Sequence, residues 1–210
     1  MQVDLHVHTR FGSNCSYMFP GDLGKQAKAV GLDAICITEH NMFWEKGELE
    51  KLSQEHDVLI LGGVEVSTEY GDILVYGLRE SVVGVTSVAE LRRLVDESGG
   101  VMIAAHPFRR DLFHISRVDV DEVAARPIFK LVDAIEVFNG MSGRKEINLG
   151  CEVTRRLGLK GVGGSDAHAT HTVGQCVTVF ERKIGDEEDL VTELRAGRFT
   201  ALHRLNKLTF

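Results

Sequence analysis

Short runs of aliphatic and β-branched residues alternate along this chain with amphipathic stretches of helical period. Residues 3–7 predict a first strand. Residues 22–30 predict a helix, and Gly31 behind it suits the left-handed position that closes one. Residues 33–38 read as a second strand, 45–55 as a charged helix and 58–66 as a third strand. Residues 73–77 form an extra strand or hairpin arm. A helix over 87–98 is stopped by Gly99-Gly100, and a fourth strand follows over 101–105. The cycle continues with a helix at 120–131, a strand at 134–138, a helix at 144–157 and a strand at 160–163. A strand at 175–180 and a helix at 187–196 complete it. Strands alternating with helices imply a parallel α/β sheet. Six or seven such units in 210 residues predict a small closed barrel, with a doubly wound open sheet as the alternative. With no linker, repeat or low-complexity tract, residues 1–210 are expected to form a single domain.

Composition narrows the setting. A hydrophobic share of 43% beside 26% charged residues is the profile of a soluble globular protein. The net charge of −7 disfavours a stable complex with long nucleic acid, whose phosphates demand a surplus of Lys and Arg. No apolar run approaches the roughly 18 residues of a membrane span. The N-terminal stretch lacks an apolar signal region, so a cytoplasmic location is expected. Cys15, Cys36, Cys151 and Cys176 form no CxxC pair and are too sparse for a disulfide framework. Reduced, mostly buried thiols are expected. The oligomeric state stays open.

The candidate chemistry falls at the ends of the expected strands. The first ends in His6-Val7-His8, the second in Thr38-Glu39-His40, the third in Gly63-Val64-Glu65 and the fourth in His106-Pro107. The fifth contains Glu136 and runs to Asn139, and the sixth is followed by Asp166-Ala167-His168. In a βα barrel those C-terminal ends converge on one face, where active sites are built. In an extended backbone His6 and His8 point the same way, so two imidazoles can reach one cation. Asp166 and His168 repeat the spacing with one carboxylate. Imidazole suits Zn and Fe, and carboxylate also suits Mn. Five histidines with Glu65 and Asp166 exceed the needs of one tetrahedral ion, so two or three divalent ions are implied, and Glu65 could bridge two of them. Any one of these histidines alone would more simply be a satisfied core residue. Glu136 could be a ligand, a strand-end cap or, with Asn139, the orienting partner of a ligand histidine; the last is preferred.

The segments Asp4-Leu5-His6-Val7-His8-Thr9, Ile37-Thr38-Glu39-His40-Asn41, Gly63-Val64-Glu65, Ala105-His106-Pro107-Phe108 and Gly164-Ser165-Asp166-Ala167-His168 together resemble the successive motifs of the PHP (polymerase and histidinol phosphatase) family. The resemblance runs from residue 4 to about residue 200. It implies a distorted (β/α)7 TIM-like barrel, a two- or three-metal site and phosphoester hydrolysis. It assigns His6, His8, Glu65 and Asp166 to a first ion. Glu65, bridging, and His106 would hold a second ion, and His40 and His168 a third. Two positions depart from the family pattern. Where many members carry a further second-ion histidine, this chain offers Asp72, which could also be a turn residue. Where members supply a third-ion His or Asp, the nearest match is Asn14, a weaker neutral ligand.

The expected reaction is attack on phosphorus by a water that two metals have activated. Asp166 would take part directly. Arg109 or Arg110 would clamp the phosphate, unless both are solvated loop residues. His171 would protonate the leaving oxygen, unless it is only an exposed loop histidine. The preferred function is a phosphatase on a small phosphorylated substrate. A nuclease or phosphodiesterase acting on polynucleotide ends and a non-catalytic metal-binding domain are the alternatives.

Overall fold

The structure, a computed structural model, describes residues 1–78, 81–85, 87–109 and 119–210. Eleven strands and six α-helices alternate along these residues. Strand β1 (Gln2–Val7) leads through α1 (Pro20–Ala29) to β2 (Ala34–Ile37), and α2 (Lys46–His56) leads to β3 (Leu59–Gly62). A hairpin follows, β4 (Val64–Thr68) and β5 (Gly71–Tyr76), then α3 (Val88–Ser98) and β6 (Val101–Ala104). Helix α4 (Val120–Ala124) precedes β7 (Ala134–Asn139), and α5 (Arg144–Leu157) precedes β8 (Lys160–Gly164). The remaining elements are β9 (Cys176–Phe180), α6 (Glu187–Ala196), β10 (Phe199–His203) and β11 (Leu208–Thr209).

The helices begin and end on local chemistry. Pro20 opens α1, where its missing N–H and fixed φ cost nothing. Ser87 Oγ accepts from Glu90 N at the start of α3, and Asp186 Oδ1 accepts from Asp189 N at the start of α6. The expected helix over 120–131 is broken. Pro127 cannot donate and forces Arg126 to an extended ψ of 137°, so α4 stops at Ala124 and a separate 3-10 turn spans Pro127–Lys130.

The strands form two mixed sheets, in the orders β11-β10-β9-β1-β2-β3 and β4-β5-β6-β7-β8. This departs from an all-parallel closed ladder in three ways. The expected third strand over 58–66 is cut at Gly63, where the chain passes from one sheet to the other; a Cβ there would lie 2.7 Å from the Tyr76 ring. The turn between β4 and β5 is too short for a crossover, so this pair is antiparallel. Strands β10 and β11 add an antiparallel meander beyond β9 that the hydrophobic pattern did not signal. The sheets meet at single isolated bridges, Val7 with Ala167 and His40 with Glu65. All four of these residues lie beside or within the strand-end motifs.

One buried cluster draws on strands of both sheets, with Val3, Leu5, Cys36, Leu61, Leu74, Tyr76, Ile103 and Val162 among its members. The Tyr76 hydroxyl, fully buried, donates to the carbonyl of Leu5 and ties β5 to β1 across it. Two further clusters pack helices onto the outer faces: α1 and α2 against β1–β3, and α3–α5 against β4–β7. Among the described residues no helix is long and apolar enough to cross a membrane. Replacing Tyr76 by Phe removes the only polar atom of its side chain and leaves the Leu5 carbonyl short of that partner. Urea denaturation is expected to show a loss of about 1–3 kcal/mol. An unchanged midpoint would show that the hydroxyl carries no stability.

Candidate metal centre

Strand β1 carries His6, His8 follows one residue beyond its end, and the register of the strand slips beside them. Its pairing with β2 shifts between Asp4 and Val7, and an irregularity of this kind re-aims side chains. Leu5 therefore packs in the interior cluster, while Val7 packs outward beneath α1 and His6 and His8 face the strand ends. A matching shift in the β7–β8 pairing lies between Glu136 and Phe138. It places Glu136 on His6, with Nδ1 to Oε1 at 3.0 Å.

The imidazole protons can be assigned from the partners. Glu136 is an acceptor, so His6 Nδ1 donates to it. Ser13 Oγ gives its one proton to Glu39 Oε2 at 2.5 Å and therefore accepts from His8 Nδ1 at 3.2 Å. Both rings then turn an Nε2 lone pair inward, and these two atoms are 3.0 Å apart. Glu65 Oε2 lies 3.5 and 3.3 Å from them, and so does Asp166 Oδ1. All four side chains are buried. Electron-rich atoms this close repel one another unless a cation lies among them. A tetrahedral ion with ligand bonds of about 2.0–2.1 Å has edges of roughly 3.3 Å. The spacings of His6, His8 and Glu65 lie close to that value, so these three fit one divalent ion, and Asp166 Oδ1 is equally near both rings.

Glu65 faces two ways. Its Oε1 lies 3.0 Å from His106 Nε2, and its Oε2 lies 3.0 Å from His40 Nδ1. Ligand atoms of Glu65, Asp72 and His106 all fall within 4.8 Å of one another, as do those of His8, His40 and His168. Glu65 thus lies between His6 and His8 on one side and His106 and Asp72 on the other.

Charge balance follows the same pattern. Burial alone would lower the His6 pKa, but Asp166, Glu136 and Glu65 raise it well above the usual imidazole range. Burial would raise Glu65, but His6, His106 and His40 hold it well below the ordinary carboxylate range. Asp166 is likewise depressed against its burial, by His6, His8, His106 and Arg109. The carboxylates around this point favour positive charge there.

The outer contacts fix these side chains. Glu136 Oε2 accepts from His106 N and from Asn139 Nδ2, each at 2.9 Å. Asn139 Oδ1 in turn accepts from Arg109 Nη2 at 3.2 Å. Glu136 and Asn139 thus hydrogen-bond His6, the His106 backbone and Arg109. Arg109 Nη2 donates to Asp166 Oδ2 at 2.5 Å, leaving Oδ1 turned to the histidines. Arg110 lies outside the described residues. His106 and Asp166 sit at φ of 28° and 52°, a strained region for residues with a Cβ, at two of the positions where ligands converge. Gly164 is required beside them: a Cβ there would meet His6 Cβ at 2.6 Å and Glu136 Oε1 at 2.7 Å.

Several expectations change. Asn14 is exposed, and the side chain that reaches His40 and His168 belongs to its neighbour, Cys15. Cys15 is exposed too, unlike the buried Cys36 and Cys176. His171 is exposed on the 3-10 turn Thr170–Thr172, and among the described residues it makes no hydrogen bond or ion pair to the cluster. Three contributors went unassigned in the sequence. Glu39, fully buried, accepts from Thr9 N, Thr9 Oγ1, Ser13 Oγ and Trp44 Nε1. Asp4, also fully buried, accepts from Ser165 N and Gly174 N at 2.8 Å, and burial pushes its pKa up to about 6. Ser13 is the third. An acid inside the Thr38-Glu39-His40 and Asp4-Leu5-His6 segments was the available signal, since a buried carboxylate needs several donors.

A family profile described as PHP domain matches residues 4–173, and one described as PHP-associated matches residues 148–199. An uncharacterised protein of Methanocaldococcus jannaschii, MJ1587, is 31% identical over 149 residues, covering 66% of this chain and 82% of its own. Among solved structures, a two-domain protein from Bacteroides vulgatus containing a predicted PHP-like metal-dependent phosphoesterase superposes with a TM-score of 0.75 at 18% identity. That match covers 96% of this chain, which spans only 64% of the two-domain protein. An amidohydrolase from Chromobacterium violaceum with bound sulfate gives a TM-score of 0.62 at 18% identity, covering 97% of this chain and 98% of that one.

Ser13 offers a test of the tautomer assignment. Ser13→Ala removes the acceptor that holds His8 Nδ1, so metal affinity by calorimetric titration is expected to fall roughly 10–100-fold with the fold retained. Unchanged affinity would remove Ser13 from the centre.

Proposed function

As the chain belongs to the PHP domain family, we propose that it is a metal-dependent hydrolase of phosphoester bonds, a phosphatase acting on small phosphomonoesters. The observation that carries this reading is the closeness of His6 Nε2 and His8 Nε2, 3.0 Å apart, with Glu65 Oε2 and Asp166 Oδ1 each 3.3–3.5 Å from both. These four would hold a first divalent ion. Glu65 through Oε1, His106 and Asp72 would hold a second. Zn, Mn and Fe all suit such mixed nitrogen and oxygen donors. When bound, the ions supply Lewis-acid chemistry: they acidify water and neutralise phosphate oxygens. On the same reading, the two sheets joined at Val7–Ala167 and His40–Glu65 are a distorted (β/α)7 barrel in one domain.

The chain's own residues do the positioning. Arg109 borders a small cleft with Tyr70, Asp72 and His106, and its side chain is 39% exposed. Its Nη2 aims Asp166, and the exposed part of the guanidinium would meet a phosphate oxygen. Glu136 and Ser13 hold the histidine rings. His171 would give the leaving oxygen its proton from the turn that follows His168. The net charge of −7 supports a small substrate over a polynucleotide.

Asp166→Ala is expected to abolish hydrolysis of a chromogenic phosphomonoester and to lower metal content, with the near-ultraviolet circular dichroism unchanged. Chelation of the wild type is expected to do the same reversibly. Full activity in Asp166→Ala with metals retained would refute its role. Parallel assays on diesters decide between phosphatase and phosphodiesterase. Among esters graded by leaving-group pKa, His171→Ala is expected to slow the poorest leaving groups most, and a uniform effect would exclude it as the acid.

A further inference from the structure

Among the described residues, Cys15 is a thiol that lies against the centre. Its Sγ is 3.1 Å from His168 Nε2 and 3.4 Å from His40 Nε2. The tautomers of both rings are set from behind. His168 Nδ1 donates to the Asp166 carbonyl at 2.8 Å, and His40 Nδ1 faces Glu65 Oε2 at 3.0 Å. Each Nε2 therefore turns a lone pair toward the sulfur. The loop is tied down on both sides of Cys15. Ser13 is anchored on Glu39, and Ser16 Oγ donates to the carbonyls of His8 at 2.9 Å and His168 at 3.2 Å. Tyr17 N adds a bond to the His168 carbonyl at 3.1 Å. The thiol is thus held against the two imidazoles by the backbone of the very residues that carry them.

We propose that Cys15, His40 and His168 form a thiolate-containing site for a third ion, selective for Zn and other thiophilic cations over Mn and Mg. The inference rests on the metal-centre reading above. A tetrahedral ion with a sulfur bond of about 2.3 Å and nitrogen bonds of about 2.0–2.1 Å needs sulfur–nitrogen edges of roughly 3.5 Å. The observed spacing is a few tenths of an ångström short, within reach of small ring and thiol rotations. On binding, Cys15 releases its proton to water, and its sulfur supplies an electron pair to the cation. Three protein ligands leave one position open. The other two sites are built with the carboxylates Glu65, Asp72 and Asp166, which accept hard and borderline ions alike; a thiolate strongly prefers the softer ones. The sites of one cluster therefore differ in the metals they take.

The test strips the full-length protein with chelator and reloads it separately with Mn, Zn and Co. Elemental analysis after identical dialysis is expected to find about one ion more per chain with Zn or Co than with Mn. The Co-loaded wild type should show sulfur-to-cobalt charge transfer in the near ultraviolet. Cys15→Ala and Cys15→Ser should each lose that band and the additional ion while keeping the ions at His6, His8 and Glu65. Equal Zn and Mn stoichiometry without the band, or a band that survives in Cys15→Ala, overturns the proposal and leaves the metal-centre reading intact. A wild type that takes up none of the three metals overturns both.

Discussion

Two buried imidazoles hold their Nε2 atoms 3.0 Å apart with a carboxylate oxygen of Glu65 and one of Asp166 close to both, and much of the molecule is arranged to keep them there. Atoms of like polarity at 3.0–3.5 Å, with water excluded, are held against their mutual repulsion. Such an arrangement persists only if the surrounding structure enforces it and a cation relieves it. The depressed carboxylates and the raised His6 express the same demand, since the carboxylates favour positive charge at that point.

The enforcement is visible in the backbone. Register shifts in β1 and β7 turn His6 and Glu136 onto each other. His106 and Asp166 occupy positive φ, a strained conformation that the neighbouring hydrogen bonds hold in place. Gly164 leaves room where any side chain would strike His6. A second tier of buried acceptors, Glu39, Glu136 and Asp4, gathers backbone and side-chain donors from segments far apart in sequence. The isolated bridges joining the two sheets lie at this same end, so the cluster and the seam between the sheets support each other.

Much of this was legible in the sequence. Strand-end histidines two residues apart, repeated with Asp166 and His168, required no tertiary information, because alternation along a strand fixes which way side chains point. Glu136 and Asn139 were legible from their place at a strand end, whereas their meeting depends on the register shift between Glu136 and Phe138. The division at Gly63 was not, since a continuous hydrophobic run from 58 to 66 gives no sign that its halves join different sheets. Strand β10 was missed because a buried position is polar, at His203, and an outer one is apolar, at Leu202, and β11 is only two exposed residues. The exchange of Asn14 for Cys15 is a loop problem. No periodicity governs residues 9–19, and only the anchoring of Ser13 and Ser16 shows which side chain reaches His40 and His168.

The central claim is that the lone pairs at His6, His8, Glu65 and Asp166 share one ion. Anomalous diffraction from crystals of the Mn-loaded protein locates that ion directly. The account predicts a peak about 2.0–2.3 Å from His6 Nε2, His8 Nε2, Glu65 and Asp166 together, with a second peak across Glu65 beside His106. Peaks confined to the surface, with His6 Nε2 and His8 Nε2 still 3.0 Å apart and joined by a shared proton, would contradict it.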